Sequence, residues 1–320
     1  MDRIGRIVPP ATPTNPGGLN LFLVLFVSVI WGAAFLSVRI SLDGYGPVTV
    51  AALRTLIAFL VLLAISVPLG QGLSTVPGRA GWFAATTIGI VSLAVPFSLL
   101  SWGQQFAPSA FAGVAMGAVP LLILPLVAIF SPEEGIGPRR IFGLVLGFIG
   151  LLVLLGPAAI EAHDTSWQSL WGQIAFVGAA LCYAAGSVMM RRAPAMPPLA
   201  LATSTLGVAA AILVPLALLI EGIPQAWPLR PTTALLYAAL FPTALAAVIR
   251  VHVIRTAGSL FMSIAGYLVP VWAVIFGIAF LNEALPSRLF LSLTLILLGI
   301  AISQSRAIQD LFRKKAKTPL

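Results

Sequence analysis

Charged side chains are scarce in this chain. Asp, Glu, Lys and Arg make up 8% of its 320 residues, while 59% are hydrophobic, whereas soluble domains carry roughly 25% charged residues. A water-soluble fold could not hide this much apolar surface, so the composition predicts a membrane protein. The formal charge of +9 comes from basic residues that lie singly or in short clusters between apolar runs. That distribution indicates membrane topology rather than nucleic-acid binding.

Residues that support catalysis or metal binding are also few. The single cysteine, Cys182, lies within an apolar run, so it can build neither a disulfide framework nor a cysteine metal site. His163 and His252 fall in or beside loops, and the sequence contains no Walker A, HExxH or GxSxG motif. No carboxylate lies in the middle of a predicted span, which disfavours strong proton coupling. The sequence predicts neither an enzyme nor a bound metal or cofactor.

Long apolar runs fill most of the chain, and a helix that crosses a ~30 Å hydrocarbon core needs about 20 such residues. Ten runs reach or approach this length, so the predicted fold is an all-α polytopic membrane protein. Their limits are about 20–41, 48–68, 81–102, 109–130, 140–156, 169–190, 198–220, 232–251, 259–281 and 287–305. The first run is predicted to stay as a span, with a signal anchor as the alternative. Residues 1–18 form a predicted disordered tail, 157–168 an extracytoplasmic linker and 306–320 a basic cytoplasmic tail.

The distribution of Lys and Arg predicts the orientation of these spans. Ten spans place both termini on one side, and fourteen of the 18 basic residues fall on that side. Arg39, Arg230 and Arg288 fall on the other side, and Arg54 lies within a span. Because basic loops stay in the cytoplasm, we expect an integral protein of the cell inner membrane with both termini cytoplasmic.

The two halves of the chain repeat a pattern of residues. Glu133 follows Pro120 by 13 residues, and Glu283 follows Pro270 at the same spacing, which gives an offset of 150. Further matches join Trp31–Ala34 with Tyr183–Gly186, Arg139 and Gly150 with Arg288 and Gly299, and Pro96 with Pro242. Because each unit has five spans, an odd number, the second copy enters the bilayer from the opposite face. The sequence thus predicts two inverted five-helix repeats, 19–156 and 169–305.

Inverted repeats are characteristic of secondary transporters, whose substrate site lies near the midplane between the copies. Two other interpretations stay open at this point. One is a gene duplication that was kept only for packing, and the other is a channel with duplicated halves.

Taken together, these features resemble the EamA-type members of the drug/metabolite transporter superfamily. The residues that carry the resemblance are Trp31-Gly32 in the first span, Arg54 in the second, and the Pro120/Glu133 and Pro270/Glu283 pairs with glycines in the helix that follows. The resemblance covers about 20–305 and implies an exporter or exchanger of small metabolites, with amino-acid exporters the nearest guess. The sixth span departs from the first, because Tyr183-Ala184 stands where the first has Trp31-Gly32. Any role of the Trp31 indole is therefore expected in the first unit only.

Arg54 is the main candidate for a substrate contact. It lies seven residues into its span, or roughly 10 Å along the helix. A charge inside the membrane costs about 2.5–3.5 kcal/mol on insertion scales and tends to face the bundle interior or a wet cavity. We expect it either to bind a substrate carboxylate or to serve structure, by snorkelling to the interface or by capping carbonyls and Asp43.

Other candidate cavity residues are aromatic or polar, because a zwitterion with an apolar side chain needs hydrogen-bond donors beside an apolar wall. They are Trp31, Phe35, Ser98, Trp102, Gln105, Tyr183, Tyr267 and Trp272. For each one, packing or a place in an interfacial aromatic belt is the competing interpretation. Pro120 and Pro270 are predicted to kink their helices and to gate the cavity, with helix packing as the alternative.

The leading functional hypothesis is a secondary transporter, an exporter, exchanger or facilitator, that moves small metabolites by alternating access. Amino acids, including aromatic or apolar ones, are the expected substrates. The alternatives are a channel-like pore, a transporter of another small solute class, and an intramembrane enzyme or lipid-handling protein. The expected partners are the substrate and the lipid bilayer, with no nucleic acid, and we expect a monomer.

Overall fold

The computed structural model describes residues 18–130, 138–160, 167–257 and 259–303. Within these ranges the chain is helical and contains no β-strand. The α-helices of the first half are α1 (Gly18–Ser41), α2 (Pro47–Ser66), α3 (Gly78–Gly89), α4 (Val95–Gly103), α5 (Ser109–Gly117), α6 (Val119–Phe130) and α7 (Pro138–Ile160). Those of the second half are α8 (Trp167–Arg192), α9 (Pro198–Ile220), α10 (Leu229–Ala239), α11 (Ala246–Ala257), α12 (Ser259–Leu281) and α13 (Ser287–Ser303). The predicted tails, apart from Gly18, and half of the linker (161–166) lie outside the described residues.

The length and composition of these helices fit a membrane protein. Among the described residues, six helices are long and apolar enough to cross a bilayer: Gly18–Ser41, Pro47–Ser66, Gly78–Gly103, Trp167–Met190, Pro198–Ile220 and Leu229–Arg250. Four shorter apolar helices are Ser109–Ile123, Ile141–Leu154, Leu268–Leu281 and Ser287–Ile302. The all-helical membrane class is therefore confirmed. The arrangement as ten spans in two inverted repeats stays a prediction.

Proline and glycine set the helix limits, as the sequence indicates. Pro47, Pro138 and Pro198 each stand first in α2, α7 and α9, where the missing N–H has no intrahelical partner to lose and the fixed φ already suits a helix.

Residues 42–46, 104–108 and 282–286 meet at one end of the bundle, which we call the 42–46 end.

Helices that are distant in sequence pack against each other. The most extensive pairs are α7 with α13, α2 with α9, α1 with α12, α4 with α8, and α5 with α12. Helix α5 is buried on all sides, since every residue except Met116 is inaccessible, as expected of a helix that is apolar all round. It therefore forms the centre of the bundle.

Small residues allow the closest of these approaches. At Gly32 of α1, a Cβ atom would overlap the Cβ of Trp272 on α12. At Gly186 of α8, it would overlap the hydroxyl of Ser92. Since lipid tails provide little hydrophobic drive between helices, such close backbone contact contributes much of the packing energy.

A π-helical turn interrupts the same helix in each half. Ile90–Ala94 joins α3 to α4 just before Pro96, and Leu240–Leu245 joins α10 to α11 and contains Pro242. A proline leaves the carbonyl four residues earlier without its usual donor, and single π turns are frequent at functional sites. The loose sequence match between these prolines thus corresponds to a matched irregularity in structure.

Pro120 and Pro270 behave differently from each other. Helix α5 ends at Gly117, and α6 starts at Val119 with Pro120 as its second residue, whereas α12 continues through Pro270 without a break. The ring of Pro270 lies against Gly117. The two proline regions therefore meet at the break between α5 and α6, and their gating role stays a prediction.

Two carboxylates cap helix N-termini across the halves. Glu221 accepts hydrogen bonds from the amides of Val48 (2.9 Å) and Thr49 (2.8 Å) at the start of α2. Glu283 does the same for Ser109 (2.7 Å) and Ala110 (3.2 Å) at the start of α5. Negative charge at these positions complements the unpaired N–H groups and the helix dipole.

The chain turns sharply to place Glu283. Asn282 follows the last residue of α12 with φ of 50°, a left-handed conformation that Asn tolerates better than most residues. The amide of Glu283 then donates to the Gly277 carbonyl at 3.1 Å, and this bond holds the reversed chain against the end of α12. The carboxylate therefore caps α5, rather than α13, which follows it in sequence. Glu133, its counterpart in the repeat, lies outside the described residues.

Candidate functional site

Arg54 lies inside the bundle rather than at its surface. Its side chain is 8% exposed, and Nε donates a hydrogen bond to Thr243 Oγ1 at 2.9 Å. The guanidinium carbon lies 4.0 Å from the centre of the Phe97 ring, a cation–π geometry. Snorkelling to the interface is not observed. Asp43 pairs with Arg39 at 3.2 Å instead.

The π turn around Pro242 explains why Thr243 can receive Arg54. Pro242 cannot donate to the Ala238 carbonyl, and the Thr243 hydroxyl donates to it instead at 2.8 Å. This bond uses the hydroxyl proton, so the oxygen is left to accept from Arg54. The turn at Pro242 therefore orients the Thr243 hydroxyl independently of Arg54.

Phe97 and Tyr183 complete the surroundings of the guanidinium. Phe97 is buried in an apolar cluster that includes Ala51, Ala52 and Leu213, and Tyr183 packs against the same cluster. Tyr183 also lies within electrostatic range of Arg54. The site therefore draws on α2, α4, α8 and the π turn before α11, which come from both halves of the chain.

Among the described residues, the charge of Arg54 has no carboxylate partner. Its one hydrogen bond to a described residue is that of Nε, and Asp43 is paired with Arg39. Asp43, which precedes α2, and Glu221, which caps the start of α2, are both engaged at the 42–46 end. A neutral hydroxyl and a ring face offset the desolvation of the cation only in part. The terminal guanidinium nitrogens are therefore suited to bind an anionic group.

Two of the three predicted tryptophans, Trp31 and Trp272, form hydrogen bonds between helices. Trp31 Nε1 donates to the Pro242 carbonyl at 3.1 Å, and the π register leaves that carbonyl available because Ala246 N bonds to Phe241 instead. Trp272 Nε1 donates to Ser28 Oγ at 3.1 Å. Trp31 thus holds the turn that carries Thr243, while Trp272 fastens α12 to α1.

The remaining predicted residues lie elsewhere. Phe35 is buried in the core around α5, and Ser98 donates to the Ala94 carbonyl of its own helix at 2.9 Å. Trp102 is 39% exposed and packs edge-on against Phe106. Gln105 is exposed beyond the end of α4. The side chain of Tyr267 lies outside the described residues.

Sequence reasoning missed Phe97 and Thr243, the two side chains that contact the guanidinium. A signal for them exists, because each directly follows one of the matched prolines, Pro96 and Pro242. Thr243 lies within the second π turn, and Phe97 lies in α4 just after the first, and both side chains contact Arg54.

Comparison with known proteins assigns the chain to a family. The model of the EamA-like transporter family matches residues 18–156 and again residues 170–304. "Uncharacterized inner membrane transporter YedA" of Escherichia coli (strain K12) is 28% identical over 290 residues, which cover 89% of this chain and 90% of that protein. A chloroplastic WAT1-related protein of Arabidopsis thaliana is 30% identical over 297 residues, covering 89% of this chain and 70% of that protein.

Two further similarities are relevant. The "Probable terminal-alkyne amino-acid exporter" of Streptantibioticus cattleyicolor is 26% identical over 306 residues, which cover 93% of this chain and 96% of that protein. One chain in a solved crystal structure shares the fold at a TM-score of 0.65 and 22% identity, covering 90% of this chain and 98% of the other. The chain therefore belongs to the EamA-like transporter family of the drug/metabolite transporter superfamily, and it is an integral membrane transporter rather than an enzyme.

Proposed function

We propose that this protein is a secondary transporter that moves amino acids, including aromatic or apolar ones, by alternating access, and that Arg54 binds the substrate carboxylate. The observation that carries the proposal is the buried guanidinium, which lies between Phe97 and Thr243 and has no carboxylate partner among the described residues. A carboxylate is the natural ligand of the free edge of a guanidinium, since it accepts two parallel hydrogen bonds.

The proposed architecture is ten transmembrane helices in two inverted five-helix units, 19–156 and 169–305, with both termini cytoplasmic. The double match of the family model, once in each half, supports the two units. The paired π turns, one in each half, support the correspondence of the two units. The excess of Lys and Arg on the side of the termini supports the orientation.

The position of Arg54 suits alternating access. In inverted-repeat transporters the substrate site lies at the interface of the units, and the partners of Arg54 are Phe97 of the first unit and Thr243 of the second. A substrate carboxylate at Arg54 would thus be bound by groups from both units. A relative movement of the units, with the π turns as flexible points, would then carry the site from one side to the other.

The neighbourhood of Arg54 suits an amino acid with an apolar side chain. Phe97, Tyr183 and Leu213 supply aromatic and aliphatic surface, and ligand sites commonly combine such walls with a few fixed polar groups. The name of the Streptantibioticus protein describes an amino-acid exporter, which supports this substrate class for a relative that matches over almost the full length. Nothing in this neighbourhood is specific to one amino acid.

Counterflow in proteoliposomes tests the mechanism. Vesicles that contain the purified protein and are loaded with unlabelled phenylalanine should accumulate tritiated phenylalanine transiently, and the initial rate should saturate. A channel-like pore would instead give flux that rises linearly with concentration and shows no stimulation from the opposite side. That result would overturn the carrier proposal.

Substitution of Arg54 tests the site. Arg54→Gln removes the charge while it keeps a hydrogen-bonding side chain, and we expect at least a tenfold rise in half-saturating concentration, about 1.4 kcal/mol. Arg230→Gln, at an exposed position in the first turn of α10, is the matched control and should leave the concentration unchanged. Equal values for the two variants, both folded and monodisperse, would reject the role of Arg54.

A further inference from the structure

A cavity of about 310 Å³ lies at the 42–46 end of the bundle, between the end of α1, the turn after α4 and the end of α12. Its polar lining residues are Arg39, Asp43, Gln104, Gln105 and Glu283. Neither Arg54 nor Thr243 lines it. We call it the vestibule. It is separate from the Arg54 site and has the size of a small-metabolite pocket.

Gln104 is the unusual member of the vestibule wall. It is 1% exposed, yet neither Nε2 nor Oε1 has a hydrogen-bond partner in the described part of the chain. Buried amides are nearly always hydrogen-bonded, because an unmade bond leaves the desolvation of the group uncompensated. A ligand that offers both an acceptor and a donor would satisfy the two ends of this amide at once.

The charges beside Gln104 are of both signs. Arg39 and Asp43 form an ion pair at 3.2 Å, and their side chains are 40% and 50% exposed, so solvent and solutes reach both. The carboxylate of Glu283 is occupied by the amides at the start of α5. The vestibule therefore presents one accessible cation next to one accessible anion, with an unpaired amide nearby.

Apolar surface lines the rest of the cavity. Phe106, Ala107, Pro108 and Leu281 supply it. A solute that carries both charges on one end and an apolar side chain on the other matches this wall. An inorganic ion or a singly charged solute would engage only one member of the Arg39–Asp43 pair and only one end of the Gln104 amide.

We propose that the vestibule is a second binding site, which takes the zwitterionic head group of an α-amino acid with an apolar side chain before or after it occupies the Arg54 site. The substrate carboxylate faces Arg39 and the amide nitrogen of Gln104. The substrate ammonium faces Asp43 and the amide oxygen of Gln104. This inference rests on the proposed amino-acid transport and adds a subsite that transport by Arg54 alone does not require.

Equilibrium binding of tritiated phenylalanine to the purified full-length chain in lipid nanodiscs tests the vestibule. The wild-type protein should show a second binding event besides the one that depends on Arg54. Gln104→Leu, similar in size and without polar atoms, should lose this second event. Gln225→Leu is the matched control, since Gln225 lies in an exposed loop and bonds to the carbonyl of Ile223; it should retain both events.

Arg39→Gln provides an independent variant that does not depend on how the bundle tolerates Leu at position 104. Its ion pair is half-exposed, so its removal leaves no buried charge and the fold is expected to persist. It should weaken the second event at least about tenfold, as expected when a charged hydrogen-bond partner is lost.

The outcomes separate the vestibule from the proposed function. If Gln104→Leu and Arg39→Gln both bind phenylalanine as the Gln225→Leu control does, the vestibule proposal is overturned, whatever Arg54→Gln does. If Arg54→Gln changes neither binding nor counterflow while Gln104→Leu loses an event, the vestibule stands and the role of Arg54 fails. Equal competition by 2-phenylethylamine, which lacks the carboxylate, would also overturn the vestibule as a zwitterion site.

Discussion

Thr243→Val is the substitution for which the structure gives the sharpest expectation. Valine keeps the shape of threonine but lacks the hydroxyl that donates to the Ala238 carbonyl and accepts from Arg54 Nε. The bond to the charged donor contributes about 1.5–3 kcal/mol and the neutral one about 0.5–1.5 kcal/mol. We therefore expect the free energy of unfolding to fall by about 2–4.5 kcal/mol.

The assay is unfolding of the purified protein in mixed micelles with a rising fraction of denaturing detergent, followed by phenylalanine binding. Thr243→Val should also weaken binding, because the guanidinium loses the group that orients it. Thr243→Ser restores the hydroxyl and should recover most of both losses. Thr233→Val is the matched control: its hydroxyl bonds to a backbone carbonyl at an exposed position of the same helix, and its effect should stay within about ±0.5 kcal/mol.

The reasoning would be refuted if Thr243→Val were as stable as Thr233→Val and bound phenylalanine equally well. That result would mean that the π turn does not need the hydroxyl and that Arg54 is positioned by other groups. Loss of stability without any change in binding would assign Thr243 to folding alone.

Two further substitutions test neighbouring contacts. Phe97→Leu removes the ring under the guanidinium and should weaken phenylalanine binding about 2- to 30-fold, from a cation–π contribution of about 0.5–2 kcal/mol. Phe148→Leu is the control, at a position that is 54% exposed, and should not change binding. Equal binding by both variants would show that the Phe97 ring does not contribute. Gly32→Ala inserts a Cβ where Trp272 already lies and should lower the free energy of unfolding by about 1–3 kcal/mol. Gly266→Ala is the control, because a Cβ at Gly266 meets open space, and it should not change the free energy of unfolding. The same detergent titration compares the two variants, and similar unfolding midpoints would contradict the close contact at Gly32.

Much of the fold follows from hydropathy and punctuation. The apolar runs of about 20 residues coincide with helices, and prolines such as Pro47 and Pro198 start them where expected. These features depend on the local sequence and on the thickness of a bilayer. For that reason they can be predicted without any knowledge of which helices meet.

The site was only partly predictable. Arg54 stands out in sequence because a charge within an apolar run needs an explanation. Its partner Thr243 is 189 positions away and faces it only because the turn at Pro242 changes register. Sequence periodicity assumes a regular helix, so it cannot foresee the direction of a side chain that follows a π turn.

The same limitation affects the third predicted span. Ser98, Trp102 and Gln105 can face the cavity together only if the helix keeps 3.6 residues per turn as far as Gln105. The helix ends at Gly103, so Gln105 lies in the following turn and reaches the vestibule instead. Ser98 bonds to its own helix and Trp102 is on an exposed face. The residue types were suitable, but their direction depended on where the helix stops.

A comparison of phenylalanine with phenylalaninamide as substrates for counterflow tests whether Arg54 binds the carboxylate of the substrate. In the wild-type protein and in Arg230→Gln, loss of the substrate carboxylate should raise the half-saturating concentration about 10- to 150-fold, from about 1.5–3 kcal/mol for charged hydrogen bonds. In Arg54→Gln this discrimination should disappear, since the interacting pair has already lost one partner. If Arg54→Gln still prefers phenylalanine over its amide by the wild-type factor, the account is contradicted.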